Sequence, residues 1–138
     1  MAQLTPEMNA MLTERFGRDT VLALATAEQE RPHVRYVNML YEDGAFYVIT
    51  YGLSGKMQQI ARNPNVALAG EWFTAHGTAE SLGWVSSPEN AALLARLRQA
   101  FALWIDNGHT NFSDPNTIIL RITLNDGLLF SHGTPYTF

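Results

Sequence analysis

A chain of 138 residues, 46% of them hydrophobic, is the length of one ordinary domain and can bury a core of its own, so residues 1–138 read as a single domain. The formal charge of −4 is not offset by any basic run, because the nine Lys and Arg are scattered, and this argues against a nucleic-acid partner. The absence of cysteine excludes disulfides, thiolate metal ligands and thiol catalysis, and suits a cytoplasmic location without requiring one. No basic stretch followed by an apolar run opens the chain, and no segment approaches the roughly 20 apolar residues of a membrane-spanning helix. A soluble, unprocessed protein with no membrane partner is expected.

Thr5-Pro6 reads as a helix cap followed by proline, and Met8, Met11, Leu12 and Phe16 recur at helical spacing until Gly17. From Val21 the period changes. The runs VLALAT, HVRYVNMLY and AFYVIT are strand-like, and the connections between them are too short to cross over a sheet, which predicts an antiparallel meander. A short helix from Ser54 to about Arg62 follows and should stop at Asn63-Pro64. VALAG and FTAHGTAE are two further strands. Ser86, Ser87, Pro88 and Glu89 then predict the start of a long helix whose apolar residues, Leu93, Leu94, Leu97, Phe101, Trp104 and Ile105, share a face until Asn107-Gly108. That face is expected to cover one end of the fold, with Trp84 and Trp104 flanking it. TIILRIT and GLLF around Asn125-Asp126-Gly127 predict a final hairpin. Six or seven short strands with few helices point to a mainly β, antiparallel sheet that closes on itself as a barrel.

The stretch ITYGLSGKMQQIARNP carries the most chemistry. If Ser54 caps the helix, the first turn offers unpaired N–H groups and the positive end of the helix dipole, and Lys56 adds a full charge. Thr50 adds a hydroxyl, while Gly52 and Gly55 allow close backbone approach. This pattern fits a phosphate cradle, although spacing alone favours an exposed lysine at a helix start. It lacks the spacing of a nucleoside-triphosphate-hydrolysing loop. Arg35, two strands earlier, sits among half-buried residues and needs a partner, either a carboxylate such as Glu71 or Glu80 or an anion gripped by its planar fork. The four histidines, His33, His76, His109 and His132, show no metal-ligand spacing.

RPHVRYVNMLYEDGAFYVITYGLSGKMQQIARNPNVALAGEW, followed by HGTAE, resembles the FMN-binding split-barrel family of the pyridoxamine 5′-phosphate oxidases, in its general-stress-protein-like branch. The order of elements carries the resemblance: an arginine-bearing strand, a hairpin, a strand ending in threonine, then S-x-K opening a helix that ends at N-P-x-V. The resemblance implies a six- to seven-stranded antiparallel split β-barrel that binds FMN at a homodimer interface. Burial of aromatics such as Phe46, Tyr47, Trp72 and Phe73 also favours a dimer. By the same resemblance Arg35, Thr50, Ser54 and Lys56 hold the phosphate end, with Gly55 among them as a cofactor-binding position through its backbone, Tyr36, Val37 and Asn38 line the flavin ring, Ile49 and Tyr51 flank the threonine, and Trp72 reaches the flavin of the other subunit.

Gly55 stands where these oxidases commonly have an arginine, and GLLFSHGTPYTF has no counterpart of their vitamin B6 grip. The function implied is therefore a flavoprotein oxidoreductase acting on an unspecified small molecule. The alternatives are a flavin-binding stress or sensor protein without turnover, a deazaflavin or haem binder on the same barrel, or a barrel without cofactor. The resemblance names no catalytic acid or base, and no metal is expected.

Overall fold

The computed structural model describes residues 2–138. Seven strands form one antiparallel sheet: β1 (Thr20–Glu28), β2 (Arg31–Glu42), β3 (Ala45–Tyr51), β4 (Asn65–Gly70), β5 (Phe73–Trp84), β6 (Thr117–Ser131) and β7 (Thr134–Thr137). The strand order is β3-β2-β1-β4-β5-β6-β7, and a further β3–β6 pairing closes the first six into a barrel. The split barrel expected from the sequence is the fold observed. β6 is long enough to serve both purposes. Its first half pairs with β3 over Thr117–Thr123, and its second half, beyond the reach of β3, pairs with β7 over Leu128–Ser131.

Alternation along the strands fills the barrel. Leu22, Leu24, Met39, Tyr41, Phe46, Val48, Ile122 and Leu124 are among the buried residues of one interior cluster. Helix α1 (Pro6–Phe16) starts at Thr5, whose Oγ1 accepts from Met8 N at 3.1 Å, and adds Met8, Leu12 and Phe16 to that cluster. Helix α2 (Gly55–Arg62) adds Met57 and Ile60. Asn63 leaves the helical region with φ −143°, so α2 stops where the following proline requires it.

Two sequence expectations are corrected. The long helix is shorter: a single 3₁₀ turn, Pro88–Asn90, leads into α3 (Ala91–Ala100), and residues 101–109 continue only as turns. Its apolar side lies against the outer wall of the barrel rather than over an end, where Leu97, Phe101 and Ile105 form a second core with Leu40, Ile119 and Val85. The reason is that β2, β3 and β6 present apolar residues outward as well as inward there, so the wall needs a cover.

The second correction concerns Asn125-Asp126-Gly127, which is not a hairpin turn. β6 runs through it, and the register against β5 slips so that Gly77 faces Leu124 while His76 faces Asp126, leaving Asn125 as the extra residue of a bulge. The hairpin is instead at His132-Gly133, both with positive φ (52° and 79°), and it joins β6 to β7. Among the described residues no helix is long and apolar enough to cross a membrane.

Candidate functional site

Four elements bring polar side chains to the end of the barrel where α2 begins. Arg35 lies opposite Leu24 in the β1–β2 ladder and therefore points to the same inward side. Its Nη1 donates to the Leu24 carbonyl at 3.2 Å and to Thr26 Oγ1 at 2.8 Å, and its Nη2 donates to Gln59 Oε1 at 3.2 Å. Thr26 Oγ1 donates to Gln59 Oε1 at 2.5 Å. Among the described residues no acceptor takes the Nε–H, and Nη2 has a hydrogen beyond its bond to Gln59, so the Nε edge of the guanidinium keeps a free donor for an oxyanion.

Lys56 reaches the same region from the first turn of α2. Its Nζ donates to Thr50 Oγ1, the last inward-pointing side chain of β3 after Phe46 and Val48. Burial, and then the neighbouring Arg35 guanidinium, lower the Lys56 amine to a pKa of about 8. Burial also lowers Arg35 from its ordinary value, although a guanidinium stays charged.

No carboxylate pairs with either cation among the described residues. The expectation that Glu71 or Glu80 would neutralise Arg35 is corrected by strand orientation. Glu80 faces outward opposite Arg121 and accepts from its Nε at 2.9 Å. Glu71 lies in the β4–β5 turn, where its backbone carbonyl accepts from Arg15 Nη2 at 2.6 Å. Two cations thus lie within each other's field, bonded to hydroxyl and amide groups, with no carboxylate partner among the described residues.

The other sequence-selected residues are divided between this end and elsewhere. Ser54 Oγ accepts from Met57 N at 3.3 Å, so its hydroxyl serves the cap, while Gly55 lies open with nothing within 4 Å of where a Cβ would stand. The first intrahelical bond is Gln58 N to the Ser54 carbonyl at 3.0 Å, which leaves the Gly55 and Lys56 N–H groups ahead of it. Ile49, Thr50 and Tyr51 border a cleft of about 430 Å³ whose other wall is the loop from His109 to Asp114.

Tyr36 stands on the outer face of β2 and is 81% exposed, whereas Val37 points inward against the core. Asn38 Nδ2 donates to Asp19 Oδ1 at 2.9 Å, and Asp19 Oδ2 accepts from Trp104 Nε1 at 3.0 Å. Trp84 Nε1 donates to the Phe112 carbonyl at 2.9 Å, so both tryptophans flanking α3 have structural hydrogen bonds. Trp72 is 65% exposed with φ 59°. It follows the far end of β4, away from α2, so within one chain it does not join the cations. Of the aromatics invoked for a dimer, Phe46 and Phe73 are inside the barrel and Tyr47 lies under α3; only Trp72 remains exposed.

Sequence reading missed Thr26 and Gln59. Gln59 stands three residues after Lys56, hence on the same side of α2, and that spacing was the available signal. Another cleft, of about 540 Å³, lies at the other end of the barrel between α1, the β2–β3 hairpin and α3. Its Arg96 is already held by Glu42, with Nε and Nη2 each 2.8 Å from a carboxylate oxygen, and its Arg18 donates to the Glu14 carbonyl.

Residues 4–129 match the family model for pyridoxamine 5'-phosphate oxidase. The chain belongs to this family. No curated protein is a significant match. Among solved structures, General Stress Protein 26 from Bacillus anthracis str. Sterne is similar with a TM-score of 0.72 at 19% identity, over 96% of this chain and 98% of that one. A heme binding protein from Mycobacterium smegmatis gives 0.69 at 16%, over 100% of this chain and 59% of that one. A FAD-binding protein from Mesorhizobium loti gives 0.61 at 19%, over 90% and 92%. At these identities the likeness is one of fold, and this oxidase-family barrel has both flavin-binding and haem-binding structural neighbours.

Proposed function

We propose that this chain is an FMN-binding member of the family, that it holds the flavin phosphate on Lys56 and the free edge of Arg35, and that it works as a homodimeric oxidoreductase on a small molecule. The observation that carries the reading is that Arg35 and Lys56 lie within each other's field at one barrel end with no carboxylate partner among the described residues, in a chain of net charge −4. Two part-buried cations side by side are costly unless an anion joins them, and a phosphate dianion satisfies both. Thr50 holds the ammonium in place, and Thr26 with Gln59 fixes the guanidinium so that its unused edge is presented in one orientation. Gly55, with no side chain, leaves the first turn of α2 open to approach.

A bound flavin supplies the electron or hydride transfer, and the chain supplies binding and orientation. Support for the dimer comes from the outer face of β2, where Val34 and Tyr36 are 70% and 81% exposed beside Val21 on β1, an apolar patch suited to a second copy.

Titration of the purified protein with FMN and with riboflavin, followed by quenching of flavin fluorescence, tests this reading. FMN should bind at least about tenfold more tightly, the worth of a charge-assisted phosphate contact. Equal affinities would overturn it. A Soret band on adding haemin to protein that ignores FMN would replace flavin by haem. Bleaching of bound FMN by a reduced nicotinamide, and its recovery with an acceptor, separates an enzyme from a flavin-binding sensor.

A further inference from the structure

Lys56 is the only lysine in the sequence. Apart from the four histidines, every other basic side chain is an arginine, which keeps its charge in all ordinary conditions, whereas an amine can give up its proton and become a nucleophile. The one lysine is part-buried, hydrogen-bonded to Thr50, within the field of the Arg35 guanidinium, and without a carboxylate among the described residues to hold its charge. Thr50 Oγ1 fixes the direction of Nζ, and the unused edge of Arg35 lies in the same cluster.

We propose that Lys56 is a nucleophilic amine and that the Arg35–Thr50–Lys56 cluster condenses with small aldehydes that carry an anionic group, forming a Schiff base on Nζ. The pKa of about 8 supports this, since near that pH a large share of the amine is neutral. In the step, the neutral Nζ attacks the carbonyl carbon and gives a carbinolamine. Loss of the carbonyl oxygen as water, with both amine hydrogens, leaves the C=N bond. Nothing is oxidised or reduced. The anionic group of the aldehyde sits on the free edge of Arg35, so recognition and reaction use adjacent groups. A phosphate ligand on the same groups would protect the amine, but the reactivity does not depend on the flavin reading.

The test uses the unliganded protein at mildly alkaline pH with glyceraldehyde 3-phosphate, and with glyceraldehyde in parallel. Borohydride trapping fixes the adduct and peptide mass spectrometry locates it. The expected result is an adduct on Lys56 that forms roughly tenfold or more faster with the phosphorylated aldehyde, a preference lost in Arg35→Gln. Modification confined to the α-amine of the chain, or equal rates at Lys56 for the two aldehydes, would overturn the proposal. Because a single side-chain amine is present, an adduct on a lysine is located without ambiguity.

Discussion

The Lys56 ammonium lies within the field of the Arg35 guanidinium, and the chain provides no carboxylate to either among its described residues. Orientation keeps them so. Arg35 points into the barrel from β2, while the acidic Glu80 of β5 points away from it. The arrangement is stable because the fold around it is: Met57 and Ile60 anchor α2 in the barrel core, which holds Lys56 and Gln59 over the barrel end.

This pairing makes both stability and ligand binding depend on pH, in opposite directions. Lys56 falls from about 10.5 to about 8 on folding, so between these values the unfolded chain holds more protons than the folded one. Stability of the unliganded protein should therefore rise with pH from about 8 to about 10.5 relative to a Lys56→Met variant, and the difference between the two should be constant below about 8. Urea unfolding of both proteins across that window measures it. FMN affinity should fall as pH rises above about 8, because the amine must take up a proton to meet the phosphate.

The apolar outer face of β1 and β2 gives a test of assembly. Val34→Asp leaves the barrel core untouched, since Val34 is 70% exposed, but would place an unpaired carboxylate in a dimer interface. It should weaken dimerisation by more than about 3 kcal/mol. Light scattering at matched concentrations should show a dimer for the wild type and a monomer for the variant. An unchanged mass for the variant would place the contact surface elsewhere.

The bulge of β6 predicts a local sensitivity unrelated to the cations. A Cβ on Gly127 would stand 2.8 Å from the Thr74 carbonyl oxygen and collide with the Phe138 ring, while the Gly127 and Phe138 backbones exchange hydrogen bonds of 3.0 and 3.1 Å. Gly127→Ala should destabilise the fold by about 1–3 kcal/mol. Thermal denaturation checks this, and FMN binding at temperatures where the variant is folded should be unaltered.

Much of the barrel was legible because its strands obey a simple period and its helices carry their caps in sequence: Thr5-Pro6 and Ser54 mark the starts of α1 and α2 where the structure has them. Asn125-Asp126-Gly127 misled because a turn signal and a bulge signal use the same residues, and only the partner strand decides between them. The apolar face after Leu93 was read correctly as buried. Its location on the barrel wall depends on outward apolar residues of three other strands, Leu40, Ile49 and Ile119, which no local pattern reveals. At the candidate site, Arg35, Thr50 and Lys56 were selected from charge and spacing. Thr26 and Gln59 were not, because their role is to orient another side chain and such a role exists only in three dimensions.

The central claim is that Lys56 and Arg35 form a phosphate grip, and the most direct test is the selectivity for FMN over riboflavin in wild type and in Lys56→Ala. Loss of the lysine should weaken FMN binding roughly ten- to hundredfold, as expected for a charge-assisted contact, and leave riboflavin binding nearly unchanged, so that the selectivity collapses. A Lys56→Ala protein that keeps its preference for FMN would contradict the account.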